Sequence, residues 1–379
     1  MRRTIIICCV LTLAGCSGLK LTYPLRHGDA NISTFGGSST RNNDRITVPA
    51  PPLFPEWEQD VTAGIGDGAP CLIDSILFAG NLRGELYAFT VRSGKRLGWV
   101  TLGGAIQGTP VIAGDLAIVP LSGSRESVVA YDYVEGKIQW RAGIGDIHGS
   151  PLLLGTFLYI GNTSGTLTCL TLAGGETIWS YALPGNTTLK GIRATPAGQD
   201  STVVFGADDG YLYNCNARTG VLRWRVQAGS AIQATPVLYG DDVFVGTLDG
   251  RFAAVGLEHG RVQWTAMPGS AIYGSAVVDS NNVIVGTTGG HIVAMDRLTG
   301  TIRWDVDLRS PVSAGLLGAG DLVYVGTLKK ELIAMKRSSG EIIWRTPTNG
   351  RIKTTPIGGA GRVFIALDTR TIQSFREGR

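Results

Sequence analysis

All eight tryptophans of the chain stand at a nearly constant spacing. They are Trp57, Trp99, Trp140, Trp179, Trp224, Trp264, Trp304 and Trp344. The gaps between them are 42, 41, 39, 45, 40, 40 and 40 residues. Seven of the eight end a similar phrase, such as EGKIQW or TGTIRW, in which a turn glycine precedes alternating residues and the indole. Such a phrase predicts a tight turn into a short strand, and its period predicts repeated units.

Each period contains four strand-like phrases, which are clearest in the sixth repeat. They are Ser270–Val278, Asn282–Gly286, His291–Asp296 and Thr301–Trp304. Four short antiparallel strands in about 40 residues are typical of a propeller blade. The 54 glycines among 379 residues suit many tight turns, whereas long amphipathic helices would need more alanine, glutamate and lysine. An all-β propeller is therefore favoured over helical repeats, and the Gly-His and Trp-Asp signatures of WD40 blades are missing.

The two ends of the repeat region complete each other. Trp57 ends a predicted strand, at about Leu53–Trp57, but the other three strands of its blade do not precede it in the sequence. Residues 351–375 supply three strands after Trp344. Together these fragments make an eighth blade, in which the N-terminal strand completes the C-terminal sheet. This closure removes an exposed sheet edge. The sequence thus predicts an eight-bladed β-propeller of four-stranded antiparallel blades over residues 53–379, monomeric by itself.

The tryptophans need no ligand to explain them. A buried indole removes roughly 200 Å² of apolar surface from water, which stabilises the fold by several kcal/mol at about 25 cal/mol per Å². We therefore interpret all eight as structural residues that pack each blade against its neighbour.

The first residues have the pattern of a bacterial export signal. Two arginines precede the apolar stretch Ile5–Leu13, which is too short for a spanning helix of roughly 20 residues. The Leu-Ala-Gly-Cys sequence that ends at Cys16 resembles the lipobox of bacterial lipoproteins, in which the cysteine is diacylated and becomes the first mature residue. This implies a signal peptide at 1–15 and lipidation at Cys16, and Ser17 in place of Asp favours the outer membrane. The alternative is an ordinary secreted protein that is cleaved nearby.

Residues 16–52 are rich in Gly, Ser, Asn and Pro and show little apolar periodicity. This composition predicts a lipidated, flexible tether between the membrane and the propeller. Fully extended, such a tether reaches on the order of 100 Å at about 3.3 Å per residue.

The charge of the mature chain is close to neutral. Without residues 1–15 it has 32 basic and 30 acidic side chains, a net charge of +2, and the charges are scattered. A nucleic-acid-binding protein normally carries a concentrated basic surface. We therefore expect no nucleic-acid partner.

Three cysteines remain after cleavage and lipidation: Cys71, Cys169 and Cys215. An odd number of thiols is not a disulfide framework. Cys169 lies ten residues before its next tryptophan and Cys215 nine before its own, so their side chains should face opposite sides of their sheets. The residues are predicted to be buried as small apolar side chains, with a bridge between them left open.

A set of polar residues stands three positions before the proline that begins each inner strand, or before its equivalent. The set is Asp67, Gln107, His148, Arg193, Gln233, Tyr273, Ser313 and Lys353. Small residues next to them allow the inner strands to approach the propeller axis. We predict that this set lines the central channel, either as a hydrated mouth or as a site for a small polar molecule.

The phrase from Ala294 to Trp304, with related phrases ending at Trp140 and Trp344, resembles the repeat of pyrroloquinoline-quinone (PQQ) dehydrogenases. Noncatalytic PQQ-like propellers share this repeat. Over the whole chain, from lipobox to ring closure, the sequence is most similar to the propeller lipoproteins of the outer-membrane β-barrel assembly (BAM) machinery. The resemblance implies a noncatalytic scaffold at the periplasmic face of the outer membrane, with no cofactor. Its implied partners are the barrel-forming subunit, nascent outer-membrane proteins and the membrane itself.

The longest gap, before Trp224, contains extra residues just ahead of an inner strand. In the assembly lipoproteins the matching loop carries a Leu-Arg-Gly element that contacts the barrel-forming subunit. The resemblance places this element on Leu189, Lys190 and Gly191, with Arg193 in the same loop. Lysine keeps the charge of arginine but loses its planar fork. A second family contact, an acidic pair, matches Ala231 and Gln233, so both acids are missing, and a tolerated surface insertion remains the alternative.

An enzymatic function has little support in the residues. Quinoprotein dehydrogenases use adjacent cysteines, a Ca²⁺ site and a catalytic aspartate, but the adjacent Cys8 and Cys9 leave with the signal peptide. No dense carboxylate cluster of the kind Ca²⁺ requires is present, and the four histidines have no metal-binding spacing. Asp208-Asp209 and Asp241-Asp242 are interpreted as solvated turn residues. We expect no catalytic or metal site.

Overall fold

The computed structural model describes residues 18–22, 25–26, 31–45, 48–185 and 191–378. These residues form short strands in eight sheets and one 3₁₀ turn, Phe35–Gly37. The all-β, eight-bladed propeller predicted from the sequence is confirmed. Within the described ranges, no helix has the length and apolar character needed to cross a membrane.

Blades 1–7 each run from an inner strand to an outer strand in chain order. Blade 1 comprises Cys71–Ile73, Ile76–Gly80, Glu85–Thr90 and Arg96–Thr101. Blade 2 comprises Val111–Ala113, Leu116–Pro120, Val128–Asp132 and Lys137–Ala142. Blade 3 comprises Leu152–Leu154, Phe157–Gly161, Thr166–Thr171 and Thr177–Ala182. Blade 4 comprises Ala197–Gln199, Thr202–Gly206, Tyr211–Asn216 and Leu222–Gln227.

The remaining three of these blades have the same order. Blade 5 comprises Val237–Tyr239, Asp242–Gly246, Phe252–Gly256 and Val262–Ala266. Blade 6 comprises Val277–Val278, Asn282–Gly286, His291–Asp296 and Ile302–Asp307. Blade 7 comprises Leu317–Ala319, Leu322–Gly326, Glu331–Lys336 and Ile342–Pro347. A fifth, two-residue strand, Asp44–Arg45, pairs in parallel with the inner strand of blade 7.

Blade 8 joins the two ends of the chain. Its first three strands are Ile357–Gly359, Arg362–Ala366 and Thr371–Glu377, and its outer strand is Leu53–Asp60. The outer strand pairs antiparallel with the third strand over its full length. Arg362 donates to both carboxylate oxygens of Glu56, at 2.7 and 2.9 Å. The N-terminal strand thus closes the ring, as the unmatched first tryptophan predicts.

Burial differs between the strands of a blade because each sheet packs face to face between two others. The third strand of blade 6, His291–Asp296, buries all four of its central residues. The outer strand of blade 4, Leu222–Gln227, alternates between half-buried and exposed residues. The core is consequently divided into eight apolar clusters, one in each interface between neighbouring blades.

Six tryptophans make the same contact with the next blade. Each indole Nε1 donates to a backbone carbonyl in the turn before the next outer strand, at 2.8–3.0 Å. The pairs are Trp57 with Val91, Trp140 with Leu172, Trp179 with Ala217, Trp224 with Leu257, Trp264 with Arg297 and Trp304 with Arg337. The turn glycine three residues after each acceptor has positive φ and lies against the indole, so a Cβ there would come within 2.4–2.7 Å of the ring.

Trp99 departs from this arrangement. It follows its turn glycine by five residues, whereas the other six tryptophans that follow such a glycine do so by four. Consequently Gly98, not Trp99, pairs with Ala88, while in blade 2 Trp140 pairs with the equivalent Ala130. A one-residue shift moves a side chain to the other face of a sheet. Trp99 therefore packs toward blade 8, stacked on Tyr87 at 6.1 Å, and does not reach blade 2.

Residues 18–22, which we name the N-terminal wedge, occupy the place left by Trp99. Leu21 N donates to Tyr133 O at 2.6 Å, and Tyr133 is the turn residue that an indole would contact. The stem of Lys20 lies over the turn glycine Gly136, where a Cβ would meet it at 3.3 Å. Leu19 and Leu21 are buried in the cluster between blades 1 and 2, which holds no tryptophan among the described residues.

Residues 31–45, which we name the N-terminal plug, cross one end of the propeller axis and bond, in every blade, to the inner strand or to the residue directly before it. Backbone bonds join the plug to Leu72, Ile112, Gly198, Leu238 and Gly318 in blades 1, 2, 4, 5 and 7. Arg41 donates to Pro151 O and Pro196 O, Asn42 to Val278 O, and Asn43 to Leu316 O and Pro356 O.

Arg41 is the most buried cation of the described chain. Its guanidinium donates four hydrogen bonds of 2.7–2.9 Å, to Thr34 Oγ1 and to the carbonyls of Phe35, Pro151 and Pro196. No carboxylate is among these acceptors, and burial lowers the pKa of Arg41 to about 9. The flexible tether expected over residues 16–52 is thus replaced, in the parts of that segment that the structure describes, by chain that packs on the ring. The sequence predicts a flexible tether because the hydrogen bonds of this segment are made to backbone carbonyls of distant blades. Such contacts leave no periodic pattern in the sequence.

Candidate partner-binding face and channel

The residues before the inner strands surround a cavity of about 380 Å³ on the propeller axis. All eight residues of the predicted set line it: Asp67, Gln107, His148, Arg193, Gln233, Tyr273, Ser313 and Lys353. Phe35 of the plug also lines the cavity, from the side where the plug bonds to the inner strands. The channel is therefore a cup with a polar mouth and a floor made by the chain's own N-terminal part.

Small residues let the inner strands meet closely around this axis. A Cβ added to Gly108 would lie 2.4 Å from Gly149 O, and one added to Gly274 would lie 2.2 Å from Ala314 O. Neighbouring backbones thus leave no space for a side chain at these points. The polar residues next to them are held at the cavity wall by this packing.

Arg193 is the centre of a polar network on the cavity wall. Its Nε donates to Asp208 Oδ2 at 2.9 Å, and one terminal nitrogen lies 3.2 Å from Nδ1 of His148. His148 Nε2 lies 3.3 Å from Asp146 Oδ2, and Gln233 donates to Asp208 Oδ1 at 3.1 Å. The network thus connects side chains contributed by the third to fifth repeats and fixes the direction of the Arg193 guanidinium.

The Asp146 carboxylate is stabilised in its charged form. Burial alone would raise its pKa, but hydrogen bonds from Gly123 N and Ser122 Oγ, each 2.8 Å long, together with nearby His148, outweigh that effect and lower the pKa. The rim of the cup therefore carries a fixed negative charge beside His148.

The described part of the candidate partner loop, Gly191 to Arg193, lies on the same face as the cavity mouth, because it precedes the inner strand of blade 4 and Arg193 lines the cavity. Gly191 O accepts a hydrogen bond from Asp208 N at 2.8 Å, and a Cβ on Gly191 would lie 2.3 Å from Asp208 Oδ2. Gly191 and Arg193 are therefore both fixed by Asp208. Leu189 and Lys190 lie outside the described residues, and so does the lipidation candidate Cys16.

Sequence reasoning missed Asp208, which it interpreted as a solvated turn residue. Its side chain is only 11% exposed and pairs with Arg193. Asp209 also bonds within the fold, accepting from Tyr213 Oη at 2.5 Å. The sequence does show an acidic residue, Asp208, at the end of a strand. Its partner Arg193 lies 15 residues away on another loop, and no local sequence pattern relates the two residues.

The aspartates of blade 5 are likewise less exposed than expected. Asp242 is 20% exposed and lies 3.6 Å from Arg297 in blade 6. Burial raises the pKa of Asp242 against the opposing effect of Arg297. Asp242 is therefore part of the blade 5–blade 6 contact and does not belong to the cavity.

The three cysteines of the described chain are buried and free, so the bridge that the sequence left open is not formed. Cys169 and Cys215 lie in the same cluster between blades 3 and 4, to which their sheets contribute opposite faces. Burial raises the pKa of Cys169 to about 11 and that of Cys215 to about 12. These thiols pack as apolar groups.

The cavity does not fit a quinone with a bound Ca²⁺. Among the described residues, no three His, Cys, Asp or Glu side chains are grouped to hold a metal ion. The one carboxylate residue on the cavity lining is Asp67, and the described cysteines lie in three separate blades. The lining therefore lacks the carboxylate ligands that a hard cation requires.

The fold, the blade repeat and the polar cup define a propeller of the PQQ-like repeat class. A family model described as "Outer membrane protein assembly factor BamB" matches residues 56–181, 182–312 and 288–378. These matches cover most of the chain, and the chain therefore belongs to the BamB family. Among curated proteins, no sequence matches this chain.

Solved structures with the same fold include both assembly factors and enzymes. BamB from Moraxella catarrhalis is 20% identical, with a TM-score of 0.75 over 86% of this chain and 99% of that one. The quinohemoprotein alcohol dehydrogenase of Comamonas testosteroni is 14% identical, with a TM-score of 0.77 over 92% and 81%. A europium-containing methanol dehydrogenase is 12% identical, with a TM-score of 0.75 over 90% of each chain. At these identities the likeness shows the fold alone.

Proposed function

We propose that the protein is a noncatalytic, lipid-anchored scaffold for the assembly and insertion of β-barrel proteins into the outer membrane. The membership in the BamB family across residues 56–378 carries this proposal. The lining of the cup supports the noncatalytic part, since it lacks the ligand set of a quinone enzyme. The protein would act at the periplasmic face of the membrane, held by acyl chains on Cys16.

The partner face of this scaffold is the loop before blade 4 together with the adjacent cavity rim. Arg193 is held by Asp208, which reduces the conformational entropy that binding would otherwise cost. The acidic pair expected at Ala231 and Gln233 is missing, but Asp208 lies 3.1 Å from the amide of Gln233 and supplies a carboxylate at this part of the rim. The Arg193 guanidinium, held in one direction by this carboxylate, is therefore the charged group that this part of the rim presents to a partner.

In-cell photocrosslinking tests this proposal. A photoreactive residue at Lys190 should capture the barrel-forming subunit of the assembly machinery. The matched control is Ser270, an exposed residue in the corresponding loop before blade 6, which should give at most a weak product. Absence of any assembly subunit among the Lys190 products would remove the assembly role.

A second candidate function is the binding of a small polar molecule in the cup. It is favoured by the closed floor at Phe35 and by the mixed charges of Lys353, Arg193 and Asp67 on the lining. Native mass spectrometry of protein purified from its source membrane would reveal such a molecule as a discrete added mass that Arg193→Ala removes. A single unliganded mass in both proteins would exclude this function.

A further inference from the structure

The N-terminal wedge holds the start of the described chain at one specific edge of the ring. Leu19 and Leu21 are buried between blades 1 and 2, and Tyr131 Oη donates to Leu19 O at 2.5 Å. A Cβ on Gly98 would lie 3.2 Å from both Gly18 O and Leu19 Cα. Gly98 thus leaves the space that the wedge fills along the outer strand of blade 1.

The lipidation candidate is only two residues from this point. Consecutive Cα atoms are 3.8 Å apart, so Cys16 Cα lies within about 8 Å of Gly18 Cα whatever the conformation between them. A flexible tether of residues 16–52 would by contrast permit a separation on the order of 100 Å between anchor and ring. The wedge removes nearly all of that freedom.

We propose that the blade 1–blade 2 edge of the propeller faces the lipid bilayer, because the wedge fixes the lipidated end of the chain there. This inference rests on the lipid anchor of the proposed function. Leu97 and Ile138 are exposed on the two outer strands here, as equivalent residues are on other blades, and the exposed Lys20 of the wedge is what this edge adds to them. Apolar side chains near the headgroup boundary with flanking lysines add to the binding that acyl chains provide.

The orientation has a consequence for the partner face. The cavity mouth lies where inner strands begin, whereas Tyr133 and Gly136, which the wedge contacts, lie in the turn between third and outer strands. A ring that meets the bilayer by its edge keeps the cavity mouth in the aqueous phase. The loop before blade 4 then stays accessible to the water-exposed domain of a partner that is embedded in the membrane.

Two fluorophore positions test the orientation. Ile138→Cys and Ile302→Cys each stand two residues before a blade tryptophan, on the outer strands of blades 2 and 6 at opposite sides of the ring. Their side chains are 37% and 46% exposed, while the three native cysteines are buried and should not react. The full lipidated protein is labelled and bound to phosphatidylethanolamine and phosphatidylglycerol vesicles that contain a headgroup-attached nitroxide quencher.

We expect the label at position 138 to be quenched about threefold more than that at 302, because the acylated residue lies within about 8 Å of the wedge. Leu21→Asp should abolish this difference while vesicle binding persists, since it expels the wedge but keeps the acyl chains. Gly98→Val provides the same test with a residue that a strand accepts easily. Equal quenching at the two positions of the parent protein would overturn the inference.

The outcomes separate this inference from the rest of the proposal. Protein that lacks the mass of acyl chains and does not bind vesicles would refute the anchor and the inference together. Equal quenching of a vesicle-bound, acylated protein would refute the orientation alone. Neither result depends on the crosslink at Lys190, which tests the assembly role.

Discussion

Gly98 is the residue that most clearly separates blade 1 from the other blades. Its φ lies outside the positive range, so the backbone itself accepts a β-branched residue. The added side chain of Gly98→Val would collide with Gly18 and Leu19, at an expected cost of about 1–3 kcal/mol, typical of overpacking. Hydrogen exchange at the Leu21 amide should then accelerate by about tenfold or more. Thr265→Val, on the exposed part of the outer strand of blade 5, should leave that rate unchanged.

Unchanged exchange at Leu21 in Gly98→Val would show that the wedge does not depend on the space at Gly98. The sequence held a signal for this space: Trp99 follows its turn glycine by five residues, and the other six tryptophans that follow such a glycine do so by four. The nearly constant spacing of the tryptophans hides this one-residue difference. The spacing alone therefore predicts eight equivalent indoles. The physical effect is large because one residue reverses the face of a strand.

Arg41 is expected to be the most important single residue of the plug. Arg41→Leu keeps much of the volume but leaves the carbonyls of Pro151 and Pro196 without the donor they now have. Since bonds to a charged group are worth about 1.5–3 kcal/mol and buried orphan groups are costly, the free energy of unfolding should fall by about 3 kcal/mol. Urea denaturation measures this value. Arg303→Ala, which removes a half-exposed ion pair with Asp296, should lower it by about 1 kcal/mol or less.

An Arg41→Leu protein as stable as the parent would mean that water replaces the lost donors at the plug. The sequence did not indicate Arg41, since it stands in a polar stretch without periodicity. Its partners are backbone carbonyls 110 and 155 residues away, and any residue type can supply a carbonyl. Contacts of this kind leave no trace in composition, which is why a flexible segment was expected.

At the scale of elements, the closing strand Leu53–Asp60 should control the stability of the whole ring. Deleting residues 53–57 removes Trp57, the Glu56–Arg362 pair and most of the pairing with Thr371–Glu377. Trp57 is partly buried between blades 8 and 1, so its loss alone costs up to about 3 kcal/mol, the lower end for a core tryptophan. We expect the melting temperature to fall by about 10 °C, as measured by circular dichroism.

A deletion of equal length provides the control. Residues 186–190 are the extra five of the one 45-residue gap, and their removal restores the 40-residue period of the other late repeats. This variant should keep its melting temperature within about 2 °C, since the neighbouring loops connect the same strands without them. It should nevertheless no longer co-purify with the barrel-forming subunit of the assembly machinery. A closing-strand deletion as stable as the loop deletion would contradict the closure as the source of ring stability.

The strands and their order were predictable because turn glycines and alternation repeat along the chain. The closure was predictable because an unmatched first tryptophan and three unmatched final strands complete one blade. The candidate site was predictable only in part: the cavity lining follows from the position before each inner strand, whereas the Arg193–Asp208 contact joins loops that the repeat does not relate. The proposed partner face is built from irregular residues, whose contacts the regular repeat does not predict.

At the scale of the whole molecule, the ring and plug form a body without free ends at which unfolding could begin. The wedge and plug occupy one blade interface and one end of the axis, and the closing strand occupies the seam. A closed ring of this kind should unfold as one unit, unlike an open solenoid whose terminal repeats fray. Burial of a thiol in each of blades 1, 3 and 4 allows this cooperativity to be measured.

Thiol labelling across a denaturant series should report the same transition at Cys71, Cys169 and Cys215. In the folded state the burial that raises the pKa of Cys169 to about 11 leaves on the order of 0.1% of that thiol ionised at pH 8, so labelling requires opening. In the deletion of residues 53–57, Cys71 lies in the blade next to the opened seam and should label at lower denaturant than the other two. Mass spectrometry of labelled peptides resolves the three sites. Coincident transitions in that variant would show that the plug, bonded to all eight blades, holds the ring together without its closing strand.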